Sequence, residues 1–166
     1  MKIVMKLFPY LLAGFFLFRL SAQKTIEETL EKYNRGTVPY ITVSQLATSE
    51  NAILLDSRSR EEFQVSHLEN AIWVGYEEFD PARVAARVPG KETPLVVYCS
   101  VGVRSEDIGE KLMAAGYTHV RNLYGGIFQW KKLGHPVYDS LGKETGRVHA
   151  YNKIWGRLLT NAEPVY

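Results

Sequence analysis

Short unbroken apolar runs alternate along this chain with stretches in which apolar residues recur every three or four positions. That is the pattern of strands buried on both faces of a parallel sheet, separated by amphipathic helices. The runs cover residues 52–55, 72–74 and 95–98, with 40–43 as a further edge strand and 120–123 as the last core strand. Ile26, Leu30 and Tyr33 stripe one helix within 25–36, and a short helix follows Ser44. Phe79, Val84 and Val88 belong to a helix begun at Asp80-Pro81, a capping residue followed by a first-turn proline. Ile108, Leu112 and Ala115 recur behind Glu106 and Asp107, so a helix starts at Arg104 or Ser105 and stops at Gly116. Gly125-Gly126 opens another through Leu133, ended by Gly134 and Pro136. This alternation predicts a three-layer α/β domain with a mostly parallel sheet of about five strands flanked by helices. Beyond it, Val148, Tyr151, Trp155 and Leu158 fall on one helical face, which predicts a C-terminal helical extension over 140–166. Lys153 and Arg157 flank that stripe, so a partner-binding or membrane-surface helix is the alternative to a docked one.

The N-terminus follows a different pattern. Lys2 and Lys6 precede an apolar run over 7–18, and Ser21-Ala22 offers a small-residue cleavage site, so residues 1–22 read as a signal peptide. As a helix the run would reach about 18 Å, short of the roughly 30 Å hydrocarbon core. Arg19 directly after the run is awkward for export, which leaves an uncleaved anchor in the inner membrane as the alternative. No cysteine lies near the run, which rules out a lipid-modified N-terminus of the lipoprotein kind. The expected location is therefore periplasmic or secreted. The organisation becomes signal at 1–22, lead-in helix at 23–39, core domain at 40–139 and extension at 140–166.

Charge changes meaning once the signal is set aside. The chain has 20 basic and 18 acidic residues. Lys2, Lys6 and Arg19 lie in the signal with no acidic residue beside them, so 17 basic residues remain against 18, a net charge of −1. No basic stripe with interleaved aromatics is present, and a nucleic-acid partner is not expected.

Chemistry concentrates at the one cysteine. The apolar run ending at Tyr98 leads into Cys99-Ser-Val-Gly-Val-Arg-Ser105, so Cys99 sits where a buried strand ends and a helix N-terminus points. Backbone N–H groups of a tight turn, a helix N-terminus and the charge of Arg104 together stabilise an anion, and a thiolate is such an anion. Gly102 lets the backbone curl without a Cβ in the way. One cysteine makes no internal disulfide and no multi-cysteine zinc site, and in an exported chain a lone thiol is best explained by reactivity.

Cys99-x-x-Gly102-x-Arg104-Ser105 at a strand-to-helix turn resembles the active-site loop of the rhodanese family of sulfurtransferases. Two further blocks are similar to that family in the same order. Asp56-Ser-Arg58 leads to Glu62-Phe63 and on to His67-Leu-Glu-Asn-Ala71, and Tyr124-Gly-Gly126 leads to Trp130 and Gly134-His-Pro-Val137. Ser66 stands where the family usually has glycine. The resemblance implies that Cys99 takes the outer sulfur of a donor such as thiosulfate, becomes a persulfide, and passes the sulfur to a thiol, to cyanide or to a protein acceptor. Ser100, Val101, Gly102, Val103, Arg104 and Ser105 are then the binding loop. Asp56 and Arg58 support it structurally, although with Arg60 they could also meet an anionic donor. The resemblance places His67 in the turn before the next strand rather than as a base for Cys99. No metal or organic cofactor is implied. Members tuned to thiosulfate tend to carry basic residues at the loop positions where Ser100, Val101 and Val103 stand, so a persulfide or polysulfide donor is an alternative. Two other functions compete: a non-catalytic sulfur-carrier, redox-sensing or partner-binding domain, and a cysteine phosphatase or arsenate reductase. Those last enzymes use Cys-x5-Arg, a spacing one residue longer than this one.

Overall fold

The computed structural model describes residues 25–166, so the signal expected at 1–22 lies outside the described residues. Tyr40–Ile41 (β1), Ile53–Asp56 (β2), Ile72–Trp73 (β3), Leu95–Tyr98 (β4) and Val120–Leu123 (β5) form one sheet in the order β1-β5-β4-β2-β3. Every neighbouring pair in it is parallel. Central β4 is in register with both flanks, Leu95 opposite Ile53 and Val120, Val97 opposite Leu55 and Asn122. All four of its residues are buried, and they alternate between two cores. Val96 and Tyr98 pack with Ile41, Leu123, Ile127 and Phe128 on one face. Leu95 and Val97 pack with Leu55, Val84, Ile108 and Leu112 on the other. An unbroken apolar run is thus a strand covered on both sides.

The helices are Ile26–Tyr33 (α1), Val43–Ala47 (α2), Arg60–Val65 (α3), Pro81–Arg87 (α4), Arg104–Ala114 (α5) and Gly126–Lys132 (α6). Thr25 with Glu28, Thr42 with Gln45, and Ser59 with Glu62 form reciprocal capping boxes at α1, α2 and α3, each satisfying two orphan helix donors. Asp80 Oδ1 accepts from Ala82 N–H at 2.9 Å ahead of Pro81. Strand β1 is shorter than the apolar stretch suggested because Thr42 already caps α2.

The C-terminal helical extension expected over 140–166 is not formed. Val137–Tyr138 (β6) pairs antiparallel with Glu144–Thr145 (β7), and Arg147–His149 (β8) pairs parallel with Glu163–Val165 (β9), with only a 3-10 helix, Trp155–Leu158, between them. Val148 and Ala150 are fully buried while Arg147 is exposed and His149 half-buried. That is the two-residue period of a strand, and the three- and four-residue spacing of Val148, Tyr151, Trp155 and Leu158 coincides with it by chance. Val148 and Ala150 sit in the same core as Tyr98 and Leu123, so the tail is part of the body. Among the described residues no helix is long and apolar enough to cross a membrane.

Candidate active site around Cys99

Strand β4 delivers Cys99 to the C-terminal edge of the sheet, and the loop at 99–103 turns into α5 at Arg104. Cys99 is 1% exposed. Gly102 N–H donates to Cys99 Sγ at 3.1 Å, and the turn that aims it has Gly102 at φ 110°. A Cβ there would sit 3.2 Å from Leu30 Cδ2 of α1 in a backbone region that disfavours side chains. Gly102 O accepts from Asn34 Nδ2 at 2.9 Å and from Asn122 Nδ2 at 2.8 Å. Ser105 Oγ lies 3.5 Å from the sulfur and 2.8 Å from Asn122 Oδ1, so one hydroxyl hydrogen has two acceptors. It can turn toward the sulfur when negative charge grows there.

From beneath, the first N–H groups of α6 hold the loop carbonyls. Ile127 N–H donates to Cys99 O at 3.0 Å and Phe128 N–H to Ser100 O at 3.1 Å. This approach is open only to glycine at position 126, which has φ 53° and whose Cβ would lie 2.3 Å from Cys99 O. The sequence block Tyr124-Gly-Gly126 is therefore part of the loop's support.

Arg104 is paired with a buried acid. Its Nη1 and Nη2 donate to Glu62 Oε2 and Oε1 at 2.8 and 2.7 Å, a two-pronged pair. Nη2 also donates to Ser100 Oγ at 3.1 Å, and Ser100 Oγ in turn donates to Glu62 Oε1 at 3.1 Å. Burial penalises the Glu62 carboxylate, but the hydrogen bonds and charge of Arg104, helped by Arg58 and by Ser59 N–H, hold it down at about 2. Burial likewise opposes the charge of Arg104, and the Glu62 bonds with the negative character of Cys99 and Glu62 outweigh it and raise its pKa. At neutral pH the loop cation is thus matched by a buried carboxylate. The sequence gives Glu62 a place in the Glu62-Phe63 block but no role at the site; its local signal is the capping box Ser59-x-x-Glu62, which fixes the acid on the first turn of α3.

Asp56 and Arg58 form a fully buried ion pair at 2.6 Å. Arg58 N–H and Nε donate to Asp56 Oδ1, each at 3.0 Å, and Arg58 Nη2 donates to Ser66 O at 2.6 Å. Burial disfavours the guanidinium, but Asp56 more than offsets it and raises the pKa. Burial and the Asp56 charge push Tyr98, below the loop, well above its ordinary value. His67 lies apart from the loop. Its Nδ1 is 3.0 Å from Phe63 O, its ring stacks on Phe63 at 4.0 Å, and its backbone bridges to Tyr138.

Above the sulfur a pocket of about 180 Å³ opens, walled by Cys99, Val101, Val103, Arg104, Tyr151 and Trp155. The Arg104 guanidinium lies 5.3 Å from the centre of the Tyr151 ring. The sequence pattern puts Tyr151 and Trp155 on one face of a C-terminal helix, and no local spacing signals their place at the mouth of the site.

Residues 42–133 match the Rhodanese-like domain family. Among curated relatives, the chain is 25% identical over 103 residues to the thiosulfate sulfurtransferase GlpE of Coxiella burnetii, covering 62% of this chain and 92% of that one. It is 30% identical over 126 residues to the tRNA uridine(34) hydroxylase of Yersinia pestis, covering 72% of this chain and 34% of that one. Among solved structures, a thiosulfate sulfurtransferase from Pseudomonas aeruginosa superposes with a TM-score of 0.56 at 26% identity, over 64% of this chain and 21% of that one.

Proposed function

The chain belongs to the rhodanese-like family, and on that premise we propose that it is a sulfurtransferase that carries a sulfane sulfur on Cys99. The observation that supports this most directly is the position of Cys99 Sγ: it faces an open pocket, with Gly102 N–H at 3.1 Å and Ser105 Oγ at 3.5 Å. In the first half-reaction the thiolate attacks the outer sulfur of the donor. The donor's sulfur–sulfur bond breaks, the leaving group departs with the bonding pair, and a cysteine persulfide remains. Gly102 N–H and the Ser105 hydroxyl stabilise its terminal charge, with Arg104 beside them, as donors in an oxyanion hole do. In the second half-reaction a thiol or other thiophile removes the sulfur and regenerates the thiolate. Shuttling of this kind gives ping-pong kinetics and calls on no metal or organic cofactor. Loop residues Ser100, Val101 and Val103 shape the cradle, while Asp56 and Arg58 brace the strand end below it.

The Glu62–Arg104 pairing weighs against a phosphate monoester, whose two charges need more unmatched cation than this loop carries. Export of the chain, with residues 1–22 as the signal, belongs to the same proposal and rests on the order of charge and hydropathy there.

Intact mass after incubation with thiosulfate, a polysulfide or an organic thiosulfonate tests the reading. One added sulfur is expected, absent in Cys99→Ser and removed by cyanide. If none of these donors adds sulfur, the sulfurtransferase reading is wrong.

A further inference from the structure

The aromatic wall of the pocket comes from residues outside the matched stretch 42–133. Tyr151 has φ 63°, a conformation uncommon for a bulky residue. A hydrogen bond from Asn152 N–H to Ala150 O at 2.7 Å closes a three-residue turn around it, and Tyr151 N–H donates to His149 Nδ1 at 3.1 Å. Backbone strain held beside a reactive group is a pointer to use. Here its effect is to stand the Tyr151 ring over Arg104 while leaving the residue 55% exposed. Asn152 Oδ1 then accepts from the N–H groups of Ile154 and Trp155 at 2.9 and 3.1 Å, starting the 3-10 helix that brings Trp155 to the same mouth. Tyr33 of α1 backs the Trp155 ring at 6.1 Å.

Charge and size point the same way. Arg104 is the one cation among the described residues lining the pocket, and Glu62 offsets it. A small dianion would meet no unmatched positive charge, and its hydration would be lost against two aromatic faces. The pocket volume of about 180 Å³ compares with cavities of about 150 Å³ that hold a benzene molecule.

We propose that Tyr151 and Trp155 bind the organic group of an organic sulfane donor, so that the site prefers donors carrying an aromatic or other flat apolar group to thiosulfate. This rests on the sulfurtransferase reading above. For a thiosulfonate, R–SO2–S⁻, the Cys99 thiolate bonds to the terminal sulfur and the sulfur–sulfur bond breaks. The sulfinate R–SO2⁻ leaves with the electron pair, and Cys99 keeps the sulfur as a persulfide anion. Charge balances and no outside oxidant enters. The R group lies between the two rings throughout.

The test compares kcat/KM for benzenethiosulfonate and methanethiosulfonate, which share charge and reacting atoms. The proteins are wild type, Tyr151→Gly, Trp155→Ala and Trp155→Phe. Glycine at 151 removes the ring and adopts the positive φ without strain. The change in the phenyl-to-methyl ratio isolates the ring contacts, because the two leaving groups differ in intrinsic reactivity. That ratio is expected to fall about tenfold in Tyr151→Gly and in Trp155→Ala and to recover partly in Trp155→Phe. An unchanged ratio in both ring-deletion variants overturns the proposal while leaving sulfur transfer intact. Binding of benzenesulfinate to Cys99→Ser, by calorimetry, needs no chemistry. An affinity about tenfold weaker with Tyr151→Gly added is expected, and one insensitive to Tyr151 and Trp155 overturns the proposal. If no donor loads Cys99 yet benzenesulfinate binds through these rings, the transfer reading fails and the aromatic site stands.

Discussion

The Glu62 carboxylate accepts from both terminal nitrogens of Arg104, from Ser100 Oγ and from Ser59 N–H. All its lone-pair directions are in use at a residue that is 1% exposed. Its folded value of about 2 lies below the ordinary 4.5, so the unfolded chain takes up a proton at higher pH than the folded one. The resulting stability is fully present above 4.5 and is lost as pH falls toward and through 2. The gap corresponds to about 3 kcal/mol at neutral pH, of which about 2 kcal/mol is gone by pH 3. Urea titrations of wild type and Glu62→Gln at several pH values separate this from the other carboxylates. The stability difference between the two proteins should be near 3 kcal/mol at pH 7 and shrink to roughly 1 kcal/mol by pH 3. A difference that stays flat over that range would show that the carboxylate does not carry the Arg104 pair. Its pairing was hidden in the sequence because Arg104 comes 42 positions later, beyond the reach of any local spacing. Cys99 and Arg104 were legible because strand end, turn glycine and helix start all fall within one short stretch.

At the level of elements, the Cys99 loop is clamped between the start of α6 and the end of α1. Helix α6 donates to the carbonyls of Cys99 and Ser100, while α1 supplies Leu30 against Gly102 and Asn34 to Gly102 O. Gly126→Ala attacks the first clamp. A methyl group 2.3 Å from a backbone oxygen forces helix and loop apart, and the positive φ adds strain of order 1 kcal/mol. A loss of about 3 kcal/mol in urea denaturation is expected, together with slower sulfur loading of Cys99. A variant within about 0.5 kcal/mol of wild type would mean that the loop does not depend on this contact. The centre of the sheet was readable in advance because β4, covered on both faces, is continuously apolar, whereas β5 carries Arg121 and Asn122 and was placed by the turn and helix signals around it. Helix starts were readable where capping chemistry is local, as at Asp80-Pro81. The tail was misread for a physical reason: four apolar residues fit both a helical stripe and a buried strand followed by a strained turn, and periodicity alone does not separate the two.

On the scale of the whole molecule, the segments on either side of the family match converge on the same loop. Helix α1 approaches from one side with Leu30, Asn34 and Tyr33, and the tail from the other with Tyr151 and Trp155. Between them, β8 packs on α3, the helix that carries Glu62, so the tail supports the charge balance of the loop as well as its mouth. A chain cut at the expected boundary after Asp139 would uncover the core face that Val148 and Ala150 seal and that Trp155, Leu158 and Leu159 partly cover. Full burial of one valine contributes about 1.5–3 kcal/mol, which puts the loss for the set on the order of 5 kcal/mol. That is comparable with the whole stability of a typical domain, about 5–15 kcal/mol. The chain ending at Asp139 is therefore expected to show a broad, low-midpoint urea transition or none, and to lose the near-ultraviolet signal of packed aromatics. A sharp transition within about 1 kcal/mol of the full chain would instead show that the tail is an appendage, and that the domain closes its core without the residues that line the Cys99 pocket.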